Sequence, residues 1–280
     1  MAPVVFGLLA ALSWGSAALV GTHQVRAIGA RRSLAWVVLL GLVFVLPLAA
    51  FVSPPDAPFR SWLYAALSGV CYVGGWLCWM LAVRSGKVGL VTAVVSTDGA
   101  TATAISVLAF RETLQAGVAA ALAVIIAGVV IAGARRESGE RGGFGGRELL
   151  FALGAAASFG FSFVAGGQAS DLGVAWTLVT SRTAAVLLVL PVLVAPGALR
   201  LGRRLVPFVL ATALLDLAGY AAFLRGARDG VAIAAVVTSQ YAVVAVIGGL
   251  LVYRERLTRL QTTGVLVTLA GVAVLATVQS

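Results

Sequence analysis

The stretch from Arg84 to Gly133 occurs twice in this chain, and both copies are almost wholly apolar. Its first half reads VGLVTAVVSTDGATATAISVLAF, then Arg111-Glu112-Thr113-Leu114, then an apolar run ending LAVIIAGVVIAG. The second copy reads VAIAAVVTSQYAVVAVIGGLLVY, Arg254-Glu255-Arg256-Leu257, then VLVTLAGVAVLA. Arg111 and Arg254, Glu112 and Glu255, Ser96 and Ser239, and Gly128 and Gly271 fall in one register. A single recurrence at this spacing means a duplicated domain rather than a solenoid. Each copy places a polar turn between two apolar segments, each long enough to cross a bilayer.

Composition extends that reading to the whole chain. It is 61% hydrophobic and 11% charged, with a mean hydropathy of +1.05. Soluble domains carry about 25% charged residues. Ten continuous apolar runs can be read, at about 4–21, 34–52, 61–83, 88–110, 114–134, 148–169, 174–194, 205–224, 231–253 and 260–278. They do not alternate as barrel strands do, and a helix satisfies its own backbone in lipid. The expected fold is an all-α integral membrane protein of ten transmembrane helices. The first run lacks a positively charged leader and is read as the first span, not a signal peptide.

The duplication reaches the remaining spans. Ser13-Trp14-Gly15 returns as Ser158-Phe159-Gly160, and Val45-Leu46-Pro47 as Val189-Leu190-Pro191. Residues 1–134 and 148–280 then form two five-helix repeats, joined by the polar, glycine-rich segment 135–147. Five is odd, so the second repeat enters the membrane from the opposite side. Inverted repeats of this kind are characteristic of secondary transporters, with solute bound near the midplane between the halves.

The net charge of +10 does not point to nucleic acid, because the basic residues occupy short connections rather than one polar face. Fifteen of the 20 Lys and Arg follow the odd-numbered spans. The positive-inside rule makes that side cytoplasmic and both termini non-cytoplasmic, in a bacterial inner (plasma) membrane. Cys71 and Cys78 lie two helical turns apart, too far for a disulfide. Either a monomer or a homodimer in the lipid bilayer fits these features.

The paired Arg-Glu-x-Leu turns, the Ala-Gly pairs in the helices after them, and Leu12-Ser13-Trp14-Gly15-Ser16 resemble the EamA repeat of the drug/metabolite transporter superfamily. The resemblance covers nearly the whole chain as two tandem copies. It implies ten helices, a substrate cavity between the halves and alternating access, often for efflux of metabolites or drugs. Members often carry Glu-Pro in the fourth helix of each repeat. Here those positions are Asp98-Gly99 and Tyr241-Ala242, so an acid is kept once and the proline-driven break is absent from both. Family members are commonly drawn with cytoplasmic termini, the opposite of the charge bias.

Three charges fall well inside spans: Asp98, Arg182 and Asp216. Each costs about 2.5–3.5 kcal/mol at a bilayer centre on insertion scales, which marks them as functional candidates. Asp98, among Ser96, Thr97, Thr101 and Thr103, is a candidate for proton coupling; the alternative is a structural ion pair with Arg182. Asp216 shares a helical face with Tyr220 and Phe223, as Tyr72 shares one with Trp76 and Trp79. These faces suit either an aromatic cavity wall for a planar, amphipathic or cationic solute, or interface anchors. Trp62 and Trp79, near helix ends, fit the anchor role. Gln168, Gln240 and Tyr241 are placed to orient a solute or to bond between helices. His23 is expected in an interfacial loop.

No metal-ligand spacing, phosphate-cradling loop or Ser-His-Asp set is present, so neither a cofactor nor an enzymatic activity is expected. The predicted function is secondary active transport of a small solute, with export and proton coupling through Asp98. The alternatives are a cation channel or uniporter, and a non-transporting membrane subunit.

Overall fold

Lipid leaves a backbone no water to bond, and every regular element among the described residues is accordingly a helix. The computed structural model describes residues 2–85, 87–110, 116–133, 145–197, 199–229 and 231–279. The first repeat contains α1 (Ala2–Ile28), α2 (Ala30–Ala50), α3 (Phe59–Ser85), α4 (Val88–Val95), α5 (Asp98–Phe110) and α6 (Ala116–Gly133). The second contains α7 (Gly146–Gln168), α8 (Gly173–Leu193), α9 (Val206–Ala227), α10 (Val231–Thr238), α11 (Tyr241–Leu251) and α12 (Arg259–Gln279). Eight segments among the described residues are long and apolar enough to cross a membrane. The Arg111-Glu112 turn and most of the predicted linker lie outside the described residues. α7 starts at Gly146, just ahead of the expected run, because Glu148 reaches back to accept the Gly145 N–H at 3.0 Å.

Two expected spans are each broken in the middle. The run 88–110 divides into α4 and α5 around Ser96-Thr97, and the run 231–253 into α10 and α11 around Ser239-Gln240. No proline is involved, contrary to the expectation that its absence leaves these spans continuous. Hydroxyl-bearing residues and Asp98 occupy the first break instead. Ser96 Oγ donates to the carbonyl of Ala93 and Thr97 Oγ1 to that of Val94. Thr97 N–H tightens onto the same Val94 carbonyl, and the Asp98 carboxylate accepts the Gly99 N–H as α5 begins. At the second break Gln240 N–H tightens onto the Val237 carbonyl, and the single Ser239 hydroxyl proton is shared between the Ala235 carbonyl and the Asp98 carboxylate.

The repeats interlock. α3 packs on α7 as α1 packs on α9; α3 on α8 answers α2 on α9; α5 on α7 answers α1 on α11. α6 packs on α12 and α2 on α8, each against its own counterpart. Swapping the two sets of six helices therefore maps these contacts onto one another. The perimeter exposes Leu8, Leu12, Leu63, Phe161, Leu187 and Leu266, which suit lipid tails. Several buried hydroxyls bond their own helix: Thr22, Thr103, Thr212 and Thr268 each donate to the carbonyl one turn earlier. His23 lies within α1, exposed, with its ring 4.5 Å from that of Phe208, rather than in a loop.

Close crossings need residues without a side chain. At Gly69 in α3, a Cβ would collide with the Ser181 carbonyl of α8. Gly69→Ala is expected to destabilise the bundle by about 1–3 kcal/mol through overpacking. The expected readout is a lower melting temperature of the detergent-solubilised protein; an unchanged one contradicts this crossing.

Candidate functional site

A carboxylate in an apolar bundle has to collect donors, and Asp216 of α9 does so from three other helices. Tyr72 Oη (α3) donates to Oδ2 at 2.7 Å, and Trp76 Nε1 (α3) to Oδ1 at 3.2 Å. Trp14 Nε1 (α1) donates to Oδ1 and to the Asp216 carbonyl, both at 3.2 Å. Arg182 Nη2 (α8) closes an ion pair with Oδ2 at 2.8 Å, with both side chains 1% exposed. Trp14 reaches this position because α9 carries Gly219, whose missing Cβ would lie 2.8 Å from the indole.

The guanidinium is also held by rings. Arg182 Cζ lies 3.9 Å from the Tyr72 ring centroid and 5.4 Å from that of Tyr220, within cation–π range. The partner of Arg182 is therefore Asp216, not Asp98 as the sequence allowed. Two long-range links support the same wall: Tyr220 Oη donates to Ser68 Oγ at 2.9 Å, and Ser162 Oγ to the Ser68 carbonyl at 2.9 Å.

Asp98 occupies a different kind of site. It stands at the start of α5, in the break, rather than in mid-helix. Its Oδ1 accepts Ser239 Oγ and the Gly99 N–H, both at 2.7 Å, and its Oδ2 accepts Tyr241 Oη at 3.0 Å. Every one of these donors is neutral, and two come from the break in the other repeat. The two interrupted helices thus meet at one carboxylate. It is 1% exposed.

Both acids border a cavity of about 50 Å³ between the repeats. The cavity is lined by residues of both repeats, including Trp14, Tyr72, Trp76, Phe159, Tyr220 and Tyr241. Trp14 stacks on Phe163 with centroids 5.5 Å apart, and Trp76 meets Trp79 edge-on at 5.2 Å. The arrangement offers π faces and one carboxylate that has no cationic partner among the described residues to anything that enters. Among the described residues no group of three His, Cys, Asp or Glu side chains could hold a metal ion.

Of the sequence-predicted residues, Asp98, Tyr72, Trp76, Asp216, Tyr220 and Tyr241 line this cavity. Arg182 stands behind Tyr72 as the counter-ion of Asp216. Gln240 is outside the lining, in the second helix break, with a buried Nε2 that lacks a hydrogen-bond partner. Gln168 ends α7 and is exposed. Trp79 is 4% exposed and belongs to the cavity wall, so the anchor role is corrected for it. Its Nε1 donates to Thr92 at 3.3 Å, which draws the ring inward. Trp62 stays near a helix end, edge-on to Trp176 at 5.9 Å.

Sequence reasoning missed Trp14, Phe159, Phe163 and Ser239 as site residues. A signal existed for two of them: Trp14 and Phe159 are the aromatic members of the Ser-aromatic-Gly echo, and both face the cavity. Ser239 was visible only as the register partner of Ser96.

The family model described as "EamA-like transporter family" matches residues 1–134 and 146–277. No curated protein gives a match. One similar solved structure, described as "Crystal structure of protein", is 18% identical with a TM-score of 0.71. The match covers 99% of this chain and 97% of that one.

Breaking the buried pair from one side leaves an uncompensated charge and is expected to cost about 3–5 kcal/mol. Arg182→Met and Asp216→Leu should each lower the melting temperature sharply. The double variant should fall less than the sum of the two, and strict additivity contradicts direct pairing.

Proposed function

For a chain that belongs to the EamA-like transporter family, of the drug/metabolite transporter superfamily, we propose outward alternating-access transport of a small amphipathic solute. A planar or cationic portion of the solute enters at the aromatic cavity between the repeats, which has to widen beyond its present volume of about 50 Å³ to admit a ring. The single observation that carries this reading is that cavity itself, lined from both repeats and touching the breaks of both interrupted helices. A solid bundle serving as a scaffold has no need of such a space.

The architecture proposed with it is ten spans in two inverted five-span repeats, 1–134 and 148–280. α4 with α5 is one interrupted span, and α10 with α11 its counterpart. The contact pattern that maps onto itself when the repeats are swapped supports a two-fold relation. The odd span count turns that relation into an inversion. The concentration of Lys and Arg after the odd-numbered spans favours non-cytoplasmic termini in a bacterial inner membrane.

The two carboxylates divide the work. Asp216 already has a guanidinium and three ring donors, so its task is to position Tyr72, Trp76 and Trp14 around the solute. Asp98 has neutral donors alone and is the proton-coupling group. Hydrogen bonds to an ionised acceptor are roughly twice as strong as neutral ones. Taking up a proton therefore weakens the hold of Asp98 on Ser239 and Tyr241, which belong to the other repeat. Proton binding is converted into a looser crossing between the halves, and rocking follows.

Asp98→Asn is nearly isosteric and retains acceptors for Ser239 and Gly99, so the variant should fold. It should lose flux driven by a pH gradient in proteoliposomes; persistence of that flux removes Asp98 from coupling. A thermal-shift screen against planar cations and their neutral isosteres reports the solute class, since a ligand that binds only the folded state raises the melting temperature. Phe159→Leu, which keeps the wall apolar but removes a π face, should weaken cation binding by about 0.5–2 kcal/mol. Equal affinity for cation and isostere would count against the aromatic wall as the selecting element.

A further inference from the structure

The N-terminus of α4 is capped by the opposite repeat. Lys87, the residue before the helix, provides no side-chain cap. The first N–H groups of α4, those of Val88 and Gly89, instead donate to the Glu255 carboxylate, to Oε1 and to Oε2 respectively. The positive end of a helix favours an anion at this position, and its leading N–H groups have no partner within the helix. Glu255 belongs to the turn between α11 and α12, and several features aim it. Arg254 adopts φ +51°, a left-handed conformation uncommon for a residue with a side chain, and Glu255 N–H bonds the Gly249 carbonyl at 3.0 Å. Room for the carboxylate exists because α11 carries Gly249, where a Cβ would lie 2.6 Å from Oε2.

The same end of the bundle is tied twice more. Lys87 Nζ donates to the Arg256 carbonyl at 2.6 Å, and Tyr253 Oη to the Leu19 carbonyl of α1 at 2.6 Å. Behind these ties every residue of α4 is buried, and Val95, at its inner end, lines the cavity. α4 is thus a short rigid rod, clamped by Glu255 at one end and adjoining the Asp98 break at the other.

We infer that Glu255 is a latch. Its carboxylate, set on the positive end of α4, holds the cavity shut on the face that carries Lys87, and that face opens by release of Val88 and Gly89. The inference rests on the alternating-access reading, because a latch has a purpose only if that face opens in turn. Glu255 is not among the residues lining the cavity and acts through α4, so it is a positioning residue.

The test is accessibility. In the full-length protein with Cys71 and Cys78 replaced by alanine, Val95→Cys is exposed to a membrane-impermeant maleimide from the Lys87 face of sealed vesicles. Slow labelling is expected in this parent. Glu255→Ala should speed it by about tenfold, the scale expected when a charged double cap is lost. Glu255→Gln, which keeps a single acceptor, should fall between the two. Lys87→Ala, a change at a half-buried position, should also raise the rate and decides the matter if Glu255→Ala does not fold. Labelling unchanged in both Glu255→Gln and Lys87→Ala overturns the latch. Solute counterflow in the same vesicles separates the two claims. Faster labelling with no counterflow in any variant sustains the latch and defeats the transport reading; counterflow with unchanged labelling does the reverse.

Discussion

Asp216 is the point to which the two repeats are tied. A single carboxylate receives donors from α1, α3 and α8. In lipid such contact discriminates little, because the tails outside are as apolar as the side chains inside. A buried ion pair is different: desolvating its partners costs several kcal/mol each, and that cost is offset only by one geometry with good hydrogen bonds. Arg182 over the Tyr72 ring and both Trp donors on Oδ1 are the details of that geometry. The aromatic wall stands where it does because its polar atoms answer this acid.

Around that anchor, the two interrupted helices are joined by uncharged donors. Ser96 and Thr97 bond local carbonyls at the first break, and Asp98 joins it to the second through Ser239 and Tyr241. The donors on Asp98 are neutral, whereas the Asp216 cluster carries its own positive charge. The bundle thus combines one charge-paired polar knot with one uncharged polar crossing, both on the wall of the same cavity. Small residues let them lie close: Gly219 admits Trp14, and Gly249 admits Glu255.

Much of the scaffold was legible in the chain, for reasons that are local. A bilayer forces long uninterrupted apolar runs, so α2, α3, α7, α8, α9 and α12 could be placed to within a few residues, whereas α1 continues to Ile28, seven residues past the run that predicted it. The breaks in the fourth span of each repeat were not legible. Ser, Thr and Gln occur freely in continuous membrane helices, and whether a hydroxyl bends the backbone depends on what waits across the interface. For Ser239 that is a carboxylate 141 positions away. The choice of partner for Arg182 was hidden for the same reason. Trp79 illustrates the converse, since proximity to a helix end suggested the lipid interface while Thr92 draws the ring inward.

What the chain alone decides is whatever follows from solvent and period: membrane location, helical class, the duplication, and the three charges that lipid makes costly. Those properties are set by residue type and spacing, without reference to any contact. The tertiary structure decided which charges neutralise each other, where a span is interrupted, and which aromatic rings face a common cavity. Each of these is a pairing between residues far apart in the chain, fixed by the crossing of helices, and a one-dimensional pattern holds no record of that crossing.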